Sequence, residues 1–151
     1  MHLSEILPVE RVEVGGADSP SSKAAVLRQL ACLLSRGSEL DASEVELLLT
    51  EREKVLSTGI GEGVAIPHTS ISGAKEQTAA LLVAPQGIDF DSCDNAPAHI
   101  FLAVVGPKQA ASAHLKVLAK VSKLLRKTET RRRLMEAKDP LQAHQLLLEH
   151  E

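Results

Sequence analysis

Apolar residues recur along this chain at two periods, and each change of period marks an element. Within residues 23–36, Val26, Leu27, Leu30, Leu33 and Leu34 follow helical spacing. Ser22 is placed to cap that helix, and Gly37 to stop it. A second helix starts at Asp41, with Glu44 completing a capping box and Leu40 facing Val45 as a hydrophobic staple. Its apolar stripe is Val45, Leu48 and Leu49. One further turn brings the stripe to Arg52, a charged residue on the side expected to be buried.

The period then shortens. Val9, Val12 and Val14 suggest a short strand near the start, followed by a Gly-Pro-Ser turn cluster. Residues 64–66 form a short strand after a glycine loop, with Ile66 held extended by Pro67. Residues 79–84 ("AALLVA") and 100–105 ("IFLAVV") are continuous apolar runs, as expected of central strands covered on both faces. Between them lies an acidic turn region, "GIDFDSCDNAP". From Ser112, a candidate cap, Leu115, Leu118, Val121, Leu124 and Leu125 give a long helix an apolar stripe to about residue 127. Two short helices follow, over residues 129–137 and 141–149. Strands interspersed with helices, without repeat or linker, predict one α/β layered domain over residues 1–151, a mixed sheet with helices packed on it.

Composition narrows what such a domain can do. Apolar residues make up 44% of the 151, yet Phe90 and Phe101 are the only rings besides histidine. The core is therefore aliphatic, and base stacking has no platform. The formal charge of −3 gives no general attraction to nucleic acid. The basic run over residues 120–133 reads as a solvated helix face. Cys32 and Cys93 form no framework; Cys32 sits in a helical apolar pattern and reads as a small core residue. No leader is visible, and no apolar run approaches the ~18 residues of a membrane helix. A reduced, cytoplasmic domain without direct membrane insertion is expected.

Three features carry candidate chemistry. Gly59, Gly61 and Gly63 form G-x-G-x-G, but the loop runs from a helix into a strand, the reverse of the nucleotide fingerprints. Its backbone amides, with the hydroxyls of Ser57 and Thr58, could meet an anion. His68 follows Pro67 at a strand end, so rigid backbone aims an imidazole able to accept a phosphoryl group near neutral pH. His114 stands at the second position of the helix capped by Ser112, where anions are favoured and imidazolium is not. Taken singly, each is an ordinary turn or surface residue. Together with Arg52 they are the set that phosphoryl transfer asks for: a nucleophile ringed by fixed donors. A metal site from His68, His114 and Cys93 lacks ligand spacing. A calcium loop counted from Asp89, with Asp91, has Asp94 and Ile100 where Gly and Glu are needed. No metal or cofactor is expected.

The stretch "REKVLSTGIGEGVAIPH" (residues 52–68) resembles the active-site region of the enzyme IIA domains of the bacterial phosphoenolpyruvate-dependent phosphotransferase system, fructose/mannitol/nitrogen-regulatory class. The resemblance continues through "GIDFDSCDNAP", "IFLAVVGP" and "HLKVLAKVSKLL", and "STGIG" is most similar to the nitrogen-regulatory branch. It implies that His68 is the phosphorylated histidine, that Arg52 and His114 flank the phosphoryl group, and that Thr58 lies in the site loop; Ser57, Thr58, Gly59 and Gly61 are read as the phosphate-binding loop. It implies a histidine phosphocarrier such as HPr as donor. Downstream stands either a regulatory target protein or, in a sugar-uptake relay, an enzyme IIB component. The separate chain and the "STGIG" wording favour regulation. Thr69 departs from the Gly or Ala usual after the histidine, which bears on partner affinity.

Overall fold

The computed structural model describes residues 2–15 and 19–151. Residues 16–18, within the expected turn cluster after the first strand, lie outside the described residues. The strands are β1 (Val12–Val14), β2 (Gly59–Gly61), β3 (Val64–Ala65), β4 (His68–Ile71), β5 (Thr78–Ile88) and β6 (Ala98–Pro107). The helices are α1 (Lys23–Ser35), α2 (Ala42–Val55), α3 (Ala111–Leu125), α4 (Thr128–Glu136) and α5 (Pro140–Glu149). Val9 belongs to a 3-10 turn before β1 rather than to the strand.

The caps explain where the helices begin. Ser22 accepts from the Ala25 amide, Asp41 from Glu44 and Asp139 from Gln142, with Pro140 at the first position of α5. Each such cap contributes about 1 kcal/mol. Gly37, at φ +66°, supplies the left-handed turn after α1. Helix α3 differs from expectation. Ala110 is its N-cap and makes no side-chain cap, because a 3-10 turn over Lys108–Ala110 already leads the chain in. Ser112 is therefore inside the first turn, and His114 is the fourth helical residue rather than the second. The buried stripe of α3 is His114, Val117, Val121, Leu124 and Leu125, whereas Leu115 is 66% exposed. Cys32 is exposed on α1, not a core residue; its neighbours Ala31 and Leu33 take the inward positions.

The described strands form one mixed sheet in the order β1-β5-β6-β3-β2, with β4 also on β6. β5 and β6 are antiparallel; β1 runs parallel to β5, and β3 and β4 parallel to β6. Alternation splits the central strands between two cores. Leu81, Val83, Ile100, Leu102 and Val104 pack with Val117, Val121, Leu134 and Leu147 under α3, α4 and α5. Ala80, Leu82, Phe101, Ala103 and Val105 pack with Leu30, Leu34, Val45 and Leu49 under α1 and α2. Helices thus cover both faces, as the unbroken apolar runs require.

The glycine loop is a hairpin. β2 turns back on β3 through Glu62 and Gly63, both in the left-handed region at φ +57° and +77°. Two such residues make the tight turn that joins twisted antiparallel strands. β3 and β4 then continue as one line along β6. Val64 faces Ile100 and His68 faces Val104, so the register offset is 36 on both sides of Ile66 and Pro67. The proline interrupts pairing without shifting it. His68 therefore begins a strand instead of ending one.

Candidate phosphoryl site

That unbroken register decides where His68 points. Side chains along a strand alternate, and Val64 and Ile66 both belong to the core under α3. His68 lies two residues further on and shares their face. It meets His114, whose ring centroid is 6.0 Å from that of His68, with the planes inclined at 49°. The two histidines are 46 residues apart in the chain (114 − 68) and are joined only by the fold.

Each ring has one nitrogen committed. The Nδ1 of His68 lies 2.7 Å from the Ile66 carbonyl, which can only accept, so Nδ1 carries the proton and Nε2 keeps a free lone pair. The Nδ1 of His114 lies 2.9 Å from Oε1 of Gln77; with the amide in this orientation its oxygen accepts, and the His114 proton sits on Nδ1. The Nε2 of His114 is buried and has no partner. His68 is half-buried, whereas His114 is only 7% exposed. Burial holds the His114 imidazole below its ordinary proton affinity, and the neighbouring His68 adds to that effect.

Arg52 takes a different position from the expected one. In α2 the row Val45, Leu49, Glu53 is buried, at intervals of four residues, and Leu48 and Arg52 lie on its flank. The Arg52 guanidinium is half-exposed and donates to the Leu56 carbonyl at 2.8 Å, closing the end of its own helix. The charged residue that the stripe carries inward is Glu53, 7% exposed. Its carboxylate accepts from the Thr58 amide at 3.1 and 3.2 Å and from the Thr58 hydroxyl. It also pairs with the Lys23 ammonium at 3.0 Å. Lys23 in turn reaches the Phe90 carbonyl and Asp91, and stands 4.7 Å above the Phe90 ring.

The hairpin donors are likewise engaged. Ser57 donates its hydroxyl to the Phe90 carbonyl at 2.7 Å and accepts from the Gly59 amide at 3.1 Å. The Thr58 hydroxyl is spent on Glu53, and the Glu62 amide on Asp94. A Cβ on Gly59 would lie 2.9 Å from the Ser92 Cα, so close approach of residues 89–97 explains that glycine. Gly61, at φ +90°, turns beside Asp94 and Cys93. Ser57, Thr58, Gly59 and Gly61 thus form a braced wall rather than an open anion nest in this structure.

Sequence reasoning missed Glu53 and Gln77. Glu53 had a signal, since it falls four residues after Leu49 on the buried row. Gln77 had none: it precedes β5, and only the fold brings it over Gly106, where a Cβ would lie 2.3 Å from its Oε1. Among the described residues no cluster of metal-ligating side chains occurs, and no helix is long and apolar enough to cross a membrane.

An α/β sheet covered on both faces, presenting a half-exposed imidazole beside a buried one, is the frame of a phosphotransferase-system IIA protein. The chain belongs to the family described as "Phosphoenolpyruvate-dependent sugar phosphotransferase system, EIIA 2", whose pattern matches residues 5–150. It is similar to the nitrogen regulatory protein of Pseudomonas aeruginosa, at 35% identity over 129 residues, covering 85% of this chain and 84% of that one. It is also similar to the fructose-specific EIIA component of Haloferax volcanii, at 29% identity over 148 residues, covering 97% and 95%. Among solved structures, the nitrogen regulatory protein IIA-Ntr of Neisseria meningitidis superposes with a TM-score of 0.87 at 32% identity, covering 96% and 98%.

Proposed function

We propose that this chain is one IIA domain that carries a phosphoryl group on His68, received from a histidine phosphocarrier of the HPr kind. In this reading the lone pair on His68 Nε2 attacks the phosphorus. A new N–P bond forms, the donor's P–N bond breaks, and the donor imidazole leaves with the electron pair. The observation that carries the reading is the hydrogen bond from His68 Nδ1 to the Ile66 carbonyl, which leaves Nε2 as the free nucleophile beside a second imidazole. Arg52 and His114 serve as the charged and polar neighbours of the bound group, and residues Ser57, Thr58, Gly59 and Gly61 form the wall that holds its surroundings rigid.

Similarity to two nitrogen regulatory proteins supports a regulatory use, in which the charge on His68 changes the target bound. Similarity to a fructose-specific EIIA component over 97% of the chain supports a second use, relay to a IIB component for fructose- or mannitol-type uptake. The test is incubation with a phosphorylated histidine carrier. Wild type gains one phosphoryl group that is labile in acid and stable in base, and His68→Ala gains none. His114→Ala and Arg52→Ala fold and accept the group more slowly. Uptake of label by His68→Ala would place the acceptor elsewhere. Partners captured by wild type and by His68→Ala, identified by mass spectrometry, separate a regulatory target from a IIB component.

A further inference from the structure

We infer that Gln77 is the positioning residue of this site: it fixes the tautomer of His114 so that a phosphoryl group settles on His68 only as His114 Nε2 takes up a proton. The inference rests on the carrier reading above and goes beyond it by assigning a residue outside the sequence motif and a proton to the transfer.

The argument is one of donor and acceptor count. The Gln77 amide oxygen accepts from His114 Nδ1 at 2.9 Å, so a neutral His114 carries a lone pair on Nε2 and no proton there. That Nε2 is buried and unpartnered, in a ring 6.0 Å from the His68 ring. A dianionic phosphoryl group placed on His68 would meet a bare lone pair, and two acceptors repel. When Nε2 takes a proton from solvent, the same atom becomes a charged donor, and imidazolium opposes the new negative charge. One proton therefore enters as the N–P bond forms, and leaves as the group departs.

Few side chains surround His114 itself among the described residues. β4 faces His114 with His68, the loop before β5 with Gln77, and β6 with Gly106, which has no side chain because the Gln77 amide occupies its place. The neighbouring His68 acts on His114 in the same direction as burial, against protonation of the free protein. Glu53, the buried carboxylate of α2, is already engaged with Thr58 and Lys23. The state of His114 is thus left to two neighbours, Gln77 on one nitrogen and whatever His68 carries on the other side.

Gln77→Leu, Gln77→Glu and Gly106→Ala test this with phosphoramidate as the donor and side-chain ¹⁵N NMR as the readout. In wild type before reaction, His114 shows its proton on Nδ1; after reaction it holds protons on both nitrogens at a pH where the free protein holds one. Gln77→Leu loses the single tautomer and slows transfer about ten- to a hundred-fold with unchanged apparent donor affinity. Gly106→Ala, which displaces the amide without altering either partner, does the same. Gln77→Glu accepts from Nδ1 as before and favours imidazolium, so it restores transfer and keeps it fast to higher pH than wild type. A Gln77→Leu protein that retains the Nδ1 proton and the wild-type pH profile overturns the inference. So does a phosphorylated wild type in which His114 holds a single proton. Should wild type take no phosphoryl group at all, the carrier reading and the proton step fall together. The spectra of the unreacted proteins would then still decide whether Gln77 holds the His114 tautomer.

Discussion

Replacing Glu53 by glutamine removes one charge and one acceptor from the brace behind the hairpin while preserving volume. The Glu53 carboxylate receives the Thr58 amide, the Thr58 hydroxyl and the Lys23 ammonium, and its side chain is almost wholly buried. A glutamine amide offers a single oxygen, so its NH2 group must face either the Thr58 amide or the Lys23 ammonium. A hydrogen bond to a charged group is worth about 1.5–3 kcal/mol, and removing one partner of a buried pair costs about 3–5 kcal/mol. Lys23 keeps the Phe90 carbonyl at 3.3 Å, Asp91 at 3.3 Å and the Phe90 ring, which places the loss at the lower end. A destabilisation of about 3 kcal/mol is expected, equivalent to a fall in Tm of about 6–12 °C for a chain of this size. Urea unfolding of wild type, Glu53→Gln, Lys23→Met and the double variant measures it, with the m-value as a check that two-state behaviour persists. Because the two side chains touch, the double variant should lose at least about 1 kcal/mol less than the sum of the singles. A Glu53→Gln loss below about 1 kcal/mol, or strict additivity with Lys23→Met, would refute the brace.

Two further outcomes follow from the same geometry. Burial keeps His114 less ready to protonate in the folded protein than in the unfolded chain, where its affinity is near the ordinary value of about 6.5. The unfolded state then binds more protons at acid pH. The contribution of this group is fully present above about pH 6.5 and is lost as pH falls through the lower folded value. Urea midpoints collected between pH 5 and 8 should therefore rise less steeply with pH in His114→Gln than in wild type; parallel slopes would contradict this. In Gly59→Ala the new Cβ meets Ser92 backbone at 2.9 Å, so about 1–3 kcal/mol of overpacking is expected in a thermal melt, whereas a neutral result would show that residues 89–97 yield.

Much of the architecture was written locally. Ser22, Asp41 and the Asp139-Pro140 pair announce three helix starts through hydrogen bonds made within three residues, whereas Ser112, read in the same way, falls inside α3. The unbroken runs around Leu82 and Leu102 demanded a sheet covered on both faces, because no amphipathic alternation offered a wet side. Strand ends were less legible: β5 and β6 extend beyond the apolar runs at residues 79–84 and 100–105, since ladder hydrogen bonds do not require apolar side chains.

What the chain by itself determined was its helices, its central strands and the histidine after Pro67, whereas β2 and β4 were not legible in it. Only the tertiary structure decided which side chains meet that histidine. Helical spacing cannot distinguish a stripe through Leu115 from one through His114, because adjacent residues differ by about 100° around a helix and both fit a broad apolar face. The choice fell to His114 because Gln77, lying over a residue without a Cβ, satisfies its Nδ1 inside the protein. In the same way Glu53 rather than Arg52 turned inward, since only the carboxylate finds an amide, a hydroxyl and an ammonium waiting there. Burying a polar group requires partners, and those partners come from segments that are distant in the chain and neighbours only in the fold.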